Sequence, residues 1–387
     1  MEYSNKNLEN IEQAQEPKNN RKQFLAVLLL LIFAALSLSW YFILRSEQAR
    51  TQSTVNPLSS NIHPQPSIIH RQEPISSSKV LPTDYHIFQT FNNCGPAALS
   101  MALRFYGVNV SQAQLGNDLR PYQVAGGDND DKSVTLDELG EKAKEYGFIP
   151  YHRPMGNPEI VKRFIANDMP VIARTLTKPT EDIGHYRIIK GYDETAGTFL
   201  QDDSLQNKNL TYIYEDFNEI WKKFNYEYLV LVPKDKQQIA EQILGENADE
   251  KIAWQNAVEN SLRELQTNPN DIYARLNLSV AYFNTLKYQS AVEEFEKVEN
   301  QLPFRTLWYQ IEPVRAYYEL GDYERVFQIT DRVLNNYNRA FSELYILRGK
   351  IYQSREETEL ARQEFQKAVF YNINLREAQE ALEGLAY

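Results

Sequence analysis

The sequence predicts an α+β domain followed by an all-α solenoid, both carried behind a single apolar span near the N-terminus. Three observations lead there. Residues 24–44, FLAVLLLLIFAALSLSWYFIL, contain no charge. Residues 81–233 mix helix-start signals with β-branched runs bounded by Gly and Asp. Beyond residue 238 Gly and Pro become scarce, and tyrosines recur at one fixed step, at Tyr282, Tyr317 and Tyr352.

Bulk properties narrow the function before any motif does. A chain of 387 residues exceeds one compact domain. With 42% hydrophobic and 24% charged residues it has the composition of folded protein. The net charge is −11, and the basic cluster lies beside the apolar span. A nucleic-acid partner is therefore not expected, because phosphate binding needs a concentrated basic face. One cysteine rules out an internal disulfide and a four-thiolate metal site.

Residues 1–23 are polar and charged and read as a disordered segment. The twenty-one residues of 24–44 would span about 30 Å as a helix, the thickness of a bilayer core. Trp40 and Tyr41 near one end suit a headgroup interface. The run is longer than a signal-peptide core, and no small-x-small site or lipid-accepting cysteine follows it. We therefore expect an uncleaved, single-pass transmembrane helix. Lys18, Arg21 and Lys22 precede the span, whereas Arg45 and Arg50 follow it. The positive-inside bias puts the N-terminus in the cytoplasm and everything after residue 45 outside it. Residues 45–80, rich in Ser, Pro, Gln and Asn, read as a flexible linker. A metal role for His63 and His70 would need partners at fixed geometry, so both are read as ordinary linker residues.

In residues 81–233, Cys94 to Tyr106 reads as a helix with Pro96 in its first turn and Gly107 just past its end. Ser111 is the N-cap of a second helix, and Thr135-Leu-Asp-Glu138 is a capping box opening a third. Strands are expected at 170–176, 186–192, 198–202 and 226–232. Helices first and an antiparallel sheet after is an α+β arrangement.

Residues 238–387 follow a helical period. Ala291, Val326 and Ala361 keep the tyrosine step, and Phe295 and Phe365 are two steps apart with Thr330 between them as the weak copy. Ala257 and Pro269 echo Ala291 and Pro303. Small residues let paired helices approach, and aromatics fill the seams. This region resembles tetratricopeptide repeats. The stretch 375–385 is expected to be a capping helix over the last apolar face.

The chemistry gathers at three separated motifs. In Gln89-Thr-Phe-Asn-Asn-Cys94-Gly-Pro, a cysteine opens an apolar helix. The helix N-terminus favours a thiolate, and a glutamine amide upstream can donate to a developing oxyanion. In Gly184-His185-Tyr-Arg-Ile-Ile-Lys-Gly-Tyr-Asp193, a histidine begins a strand. In Thr198-Phe-Leu-Gln-Asp202-Asp203-Ser204, the next strand ends on carboxylates. Cys, His and Asp in that order can supply nucleophile, base and orienting group. Successive strand residues face opposite ways, so one of the two aspartates, not both, would meet His185.

These motifs together resemble the bacteriocin-processing peptidase-like family of bacteria, a branch of the papain superfamily of cysteine peptidases. DDKSVTLDEL, MPVIARTL and IWKKFNYEYLVLVP fit its looser pattern. The resemblance implies Cys94 as nucleophile, His185 as base, an aspartate as its orienter and Gln89 as oxyanion donor. Two departures stand out. The spacing from Gln89 to Cys94 is one shorter than is common, and Ser204 stands where the family has proline after the aspartate. Aligning Ser204 with that proline selects Asp203 over Asp202. Transporter-linked members cut after a Gly-Gly leader, and no transporter segments follow here, so that substrate is not implied.

The expected organisation is thus a cytoplasmic segment 1–23, a transmembrane helix 24–44, a linker 45–80, a papain-like peptidase domain 81–233 and a repeat domain 238–387. The expected activity is thiol hydrolysis of a peptide or amide bond at an extracytoplasmic site, without metal or cofactor. The repeats would recruit a substrate or partner protein. A second expectation, from another class, is an inactive papain-like scaffold that binds peptides or proteins. His86 and His152 are expected to be incidental. Asp128-Asn-Asp-Asp131 lacks the remaining ligands of a calcium loop and reads as solvated.

Overall fold

The long strand β4, Gly184–Asp193, is nine-tenths buried along its length, and the first half of the protein is built around it. The computed structural model describes residues 75–124, 127, 134–336 and 338–385, which fall in one compact unit. The expected segment 1–23, the span 24–44, most of the linker and the whole Asp128–Asp131 stretch lie outside the described residues. No described helix is long and apolar enough to cross a membrane.

The sheet runs β2-β7-β3-β4-β5-β6 and is antiparallel throughout. Its members are β2 (Ile149–Arg153), β3 (Val171–Leu176), β5 (Thr198–Asp203), β6 (Leu210–Ile213) and β7 (Tyr228–Val232). The period-two rule of strands gives it two apolar faces. Ile172, Ile188, Leu229 and Leu231 meet α1 (Cys94–Phe105), α2 (Gln112–Leu119) and α3 (Leu136–Lys144). Val171, Ala173, Ile189, Val230 and Val232 meet α4 (Pro158–Ala166) and α5 (Tyr214–Trp221).

The local signals in the sequence are used as expected. Ser111 accepts from the Gln114 N–H, and Thr135 with Glu138 forms the reciprocal capping box of α3. Gly107, at φ +83°, ends α1 in a conformation that disfavours other residues. The linker, however, ends before residue 80. Ser78–Val80 forms strand β1, paired with Gly191–Asp193 of β4. Lys79 anchors it, with Nζ 2.8 Å from the Ala166 carbonyl and 2.7 Å from Asp168. Three polar-flanked residues carry no apolar period, so only the open edge of β4 reveals this strand.

After α6 (Gln237–Leu244) the chain is helical. α7 (Glu250–Thr267) and α8 (Ile272–Asn284) are capped by Asp249 and Asp271. There follow α9 (Tyr288–Glu296), a short α10 (Thr306–Tyr309), α11 (Glu312–Glu319), α12 (Tyr323–Leu334), α13 (Ser342–Ser354), α14 (Thr358–Tyr371) and α15 (Arg376–Gly384). Phe295, Phe365 and Tyr317 lie in one continuous core with Ala291, Val326 and Ala361. At Gly349 an added Cβ would collide with the Phe365 ring, so α13 and α14 approach there only because the side chain is absent. Thr330, the weak copy, is buried and donates its hydroxyl to the Phe327 carbonyl at 3.1 Å.

Candidate active site

α1 begins at Cys94, and Asn93 precedes it. The Asn93 side chain does not cap the helix. It donates to Thr90 Oγ1 at 2.7 Å and accepts from Gln123 at 2.8 Å. The positive end of the helix dipole is therefore not quenched by its N-cap side chain and faces the Cys94 region. Cys94 itself is 6% exposed. Its apolar cluster includes Tyr186, the residue after His185. An added Cβ at Gly95 would lie 3.4 Å from the Tyr186 ring, so α1 starts directly over the beginning of β4.

On β4 the side chain of His185 reaches toward the neighbouring strand β5. His185 Nε2 lies 2.8 Å from Asp203 Oδ1, and both residues are buried. Burial alone would push the Asp203 carboxyl up. The hydrogen bond and charge of His185, the Arg187 guanidinium and the Gln206 N–H outweigh it and bring the pKa down to about 2. Asp203 is thus ionised at neutral pH and can only accept. It follows that Nε2 carries the hydrogen and Nδ1 is the basic nitrogen of the ring.

Asp202, one residue back, faces away. Its Oδ2 pairs with Lys190 Nζ at 2.7 Å and its Oδ1 accepts from the Asn209 N–H at 2.8 Å. Strand alternation thus assigns the two carboxylates to different partners.

Gln89 is brought to the same strand end. Its N–H donates to the Ser204 carbonyl at 2.8 Å, and Ser204 Oγ donates to its Oε1 at 2.9 Å. With the oxygen engaged, the amide nitrogen is the end of the side chain that this bond leaves for another acceptor. Residues 203 and 204 together therefore orient the imidazole and the amide.

Three groups escaped the sequence reading. Arg187 is fully buried, pairs with Asp203 Oδ2, and donates to Thr175 Oγ1 at 3.1 Å and the Thr177 carbonyl at 2.7 Å. Its only signal was a charge at a central position of an apolar strand. Ser204 was visible as a departure from proline, but its hydroxyl bond depends on tertiary contact. His86, expected to be incidental to the chemistry, has a structural partner. Its Nε2 is 3.0 Å from the Asp203 carbonyl, which only accepts, so that nitrogen carries hydrogen and ties the Gln89 segment to β5. His152 is likewise partnered, 3.1 Å from Glu227. Among the described residues no cluster of His, Cys, Asp and Glu could hold a metal ion.

Comparisons with known proteins point to the same part of the chain. Residues 78–229 match the model described as the Peptidase C39 like family. No curated protein matches the sequence. A crystal structure described as a C39-like peptidase from Bacillus anthracis is 17% identical, covering 41% of this chain and 98% of that one, with a TM-score of 0.35. The peptidase domain of Streptococcus ComA, a bi-functional ABC transporter involved in quorum sensing, is 20% identical. It covers 38% of this chain and 97% of that one, with a TM-score of 0.31. Residues 78–229, the stretch that matches the C39-like family model, form an α+β domain, followed by a helical region.

Proposed function

We propose that this protein is a thiol hydrolase acting on peptide or amide bonds, with Cys94 as nucleophile, His185 as base, Asp203 as its orienter and Gln89 as oxyanion donor. The observation that carries the reading is the buried His185–Asp203 hydrogen bond on β4 and β5, beside the helix that opens with Cys94. His185 Nδ1 takes the Cys94 proton, and the thiolate sulfur attacks the substrate carbonyl carbon. The oxyanion is held by the Gln89 amide and a backbone N–H at the start of α1. The His185 imidazolium then protonates the leaving amine, and water deacylates the enzyme by the same route.

The span 24–44 anchors the protein, and its flanking charges set the peptidase-like domain outside the cytoplasm. The region 238–387 acts as tetratricopeptide-type repeats that recruit a substrate or partner protein. A peptide is the natural substrate of such a domain, and the triad alone does not select one sequence.

The experiment is covalent labelling of the full-length protein with an epoxide inhibitor of thiol peptidases, read by intact mass and peptide mapping. Stoichiometric adduct at Cys94, lost in His185→Ala, is expected. The burial of Cys94 also supports the second reading, a peptide-binding scaffold that does no chemistry. Folded protein that takes no label at Cys94 would establish that reading and reject the first.

A further inference from the structure

The helical region does more than follow the peptidase-like domain. It enters it next to His185. α10 ends at Tyr309 and α11 starts at Glu312, with Pro313 in its first turn. Proline has no N–H to donate to the carbonyl four residues back, which is that of Tyr309, and its ring crowds that carbonyl. The helix breaks at Gln310, which takes an extended conformation. The released Tyr309 carbonyl accepts instead from Arg174 Nη2 of β3 at 2.7 Å, within the buried interior.

The break turns the Tyr309 ring out of the repeats and into the core of the sheet domain, beside Phe224 at 6.0 Å between ring centroids. There it lies against Gly184. A Cβ at Gly184 would stand 3.0 Å from Tyr309 Cε1, so the contact is already close. Gly184 is the residue before His185. The same β3–β4 turn is held from outside by Arg305, whose Nη1 is 2.9 Å from Asp182 Oδ1 and whose N–H is 3.3 Å from Oδ2. Inside the turn, Thr177 receives Arg187 Nη2 on its carbonyl, and Arg187 pairs with Asp203. A cavity of about 20 Å³ remains at the junction, room for about one water.

We infer that the broken helix of the repeat region is a positioning element for His185, so that the proposed hydrolase is competent only with its repeats docked. Tyr309 and Arg305 touch no reacting atom. They fix the turn from which β4 starts, and through Thr177 and Arg187 that turn is joined to Asp203. The inference rests on reading Cys94 and His185 as nucleophile and base, and its test is arranged to separate the two.

Full-length Tyr309→Ala, Arg305→Met and Gly184→Ala are compared with wild type. The readouts are the pH profile of epoxide labelling at Cys94 and hydrogen exchange of residues 177–189. Tyr309→Ala should slow labelling roughly tenfold to a hundredfold, as misplacement of a reacting group does. Its pH profile should move, and exchange should rise within 177–189. Arg305→Met should act in the same direction with a smaller effect. Gly184→Ala, which leaves Tyr309 in place and approaches it from the other side, should do likewise, so the test survives if Tyr309→Ala does not fold. Wild-type rates, pH profile and exchange in the folded variants would overturn the inference. If wild type itself takes no label, the proposed hydrolase falls. Exchange in 177–189 then decides the coupling alone, a rise upholding it and no change overturning it.

Discussion

Ser204 Oγ donates to Gln89 Oε1 at 2.9 Å, one residue beyond the carboxylate that holds His185. A hydroxyl here does what a proline could not, since proline carries no donor. The bond fixes which end of the amide is free to donate. Ser204→Ala should therefore cost little stability, about 0.5–1.5 kcal/mol for one hydrogen bond. It should lower the acylation rate by letting the amide rotate. Gln89→Ala removes the proposed oxyanion donor and, under that proposal, should lower the rate by roughly 10²–10³-fold. Stopped-flow acylation of both variants checks the order. Equal rates for Ser204→Ala and wild type would show that the amide needs no such anchor.

Asp203→Asn tests the ring's orientation. An asparagine amide can present a donor to Nε2, so the imidazole can settle in the other tautomer with its hydrogen on Nδ1. An orienting aspartate replaced in this way typically costs about 10⁴-fold in rate. Asp202→Asn should leave the rate close to wild type, because Asp202 serves Lys190 and the Asn209 N–H. Turnover of a fluorogenic peptide amide by the two variants separates them. A larger loss in Asp202→Asn would reverse the assignment.

How much of this was legible beforehand follows from what each signal depends on. The Ser111 cap, the Thr135–Glu138 box and the Gly107 stop act within a few residues, and the structure uses all three. The preference for Asp203 over Asp202 came from aligning Ser204 with a proline. Strand alternation said only that the two would diverge, and the register Arg187↔Asp203 gives the physical reason for their partners. What could not be read were pairings across long separations. Arg187 looks like an intrusion in HYRIIKGY until Asp203 is set opposite it. The polar β1 needs an open sheet edge to exist at all. Tyr309 carries no signal of its own until Arg174 and Gly184 are placed beside it.

Arg187 braces the Asp203 carboxylate. It is fully buried with partners at Asp203, Thr175 and Thr177, and its guanidinium lies 5.2 Å from the centre of the Tyr212 ring. Arg187→Met removes the cation and takes from a buried carboxylate the bond to its Oδ2, leaving the His185, Leu205 and Gln206 bonds to Oδ1. Breaking such a pair costs about 3–5 kcal/mol. For a protein of this size the melting temperature should fall on the order of 10 °C. The rate should fall less than in Asp203→Asn, because the His185 contact survives. Calorimetry and kinetics on the two variants would show the crossing. A variant with unchanged melting temperature would mean that the arginine is not needed to hold Asp203.

The acid limb of stability follows from the same carboxylate. Its folded pKa is about 2, below the ordinary value of 3.8 that it regains on unfolding. Between those values the unfolded chain binds more protons, so stability rises with pH there. The contribution is complete above about pH 5 and is lost as pH falls through about 2. Glu159 and Asp271 are also held below their usual range, so acid unfolding of the wild type is a composite. The difference between wild type and Asp203→Asn isolates the one group. Urea midpoints measured from pH 6 to pH 2 should start with wild type the more stable and converge toward the acid end. If the gap stays constant across that range, folding does not lower the Asp203 pKa, and the net stabilisation of its charge by His185 and Arg187 is refuted.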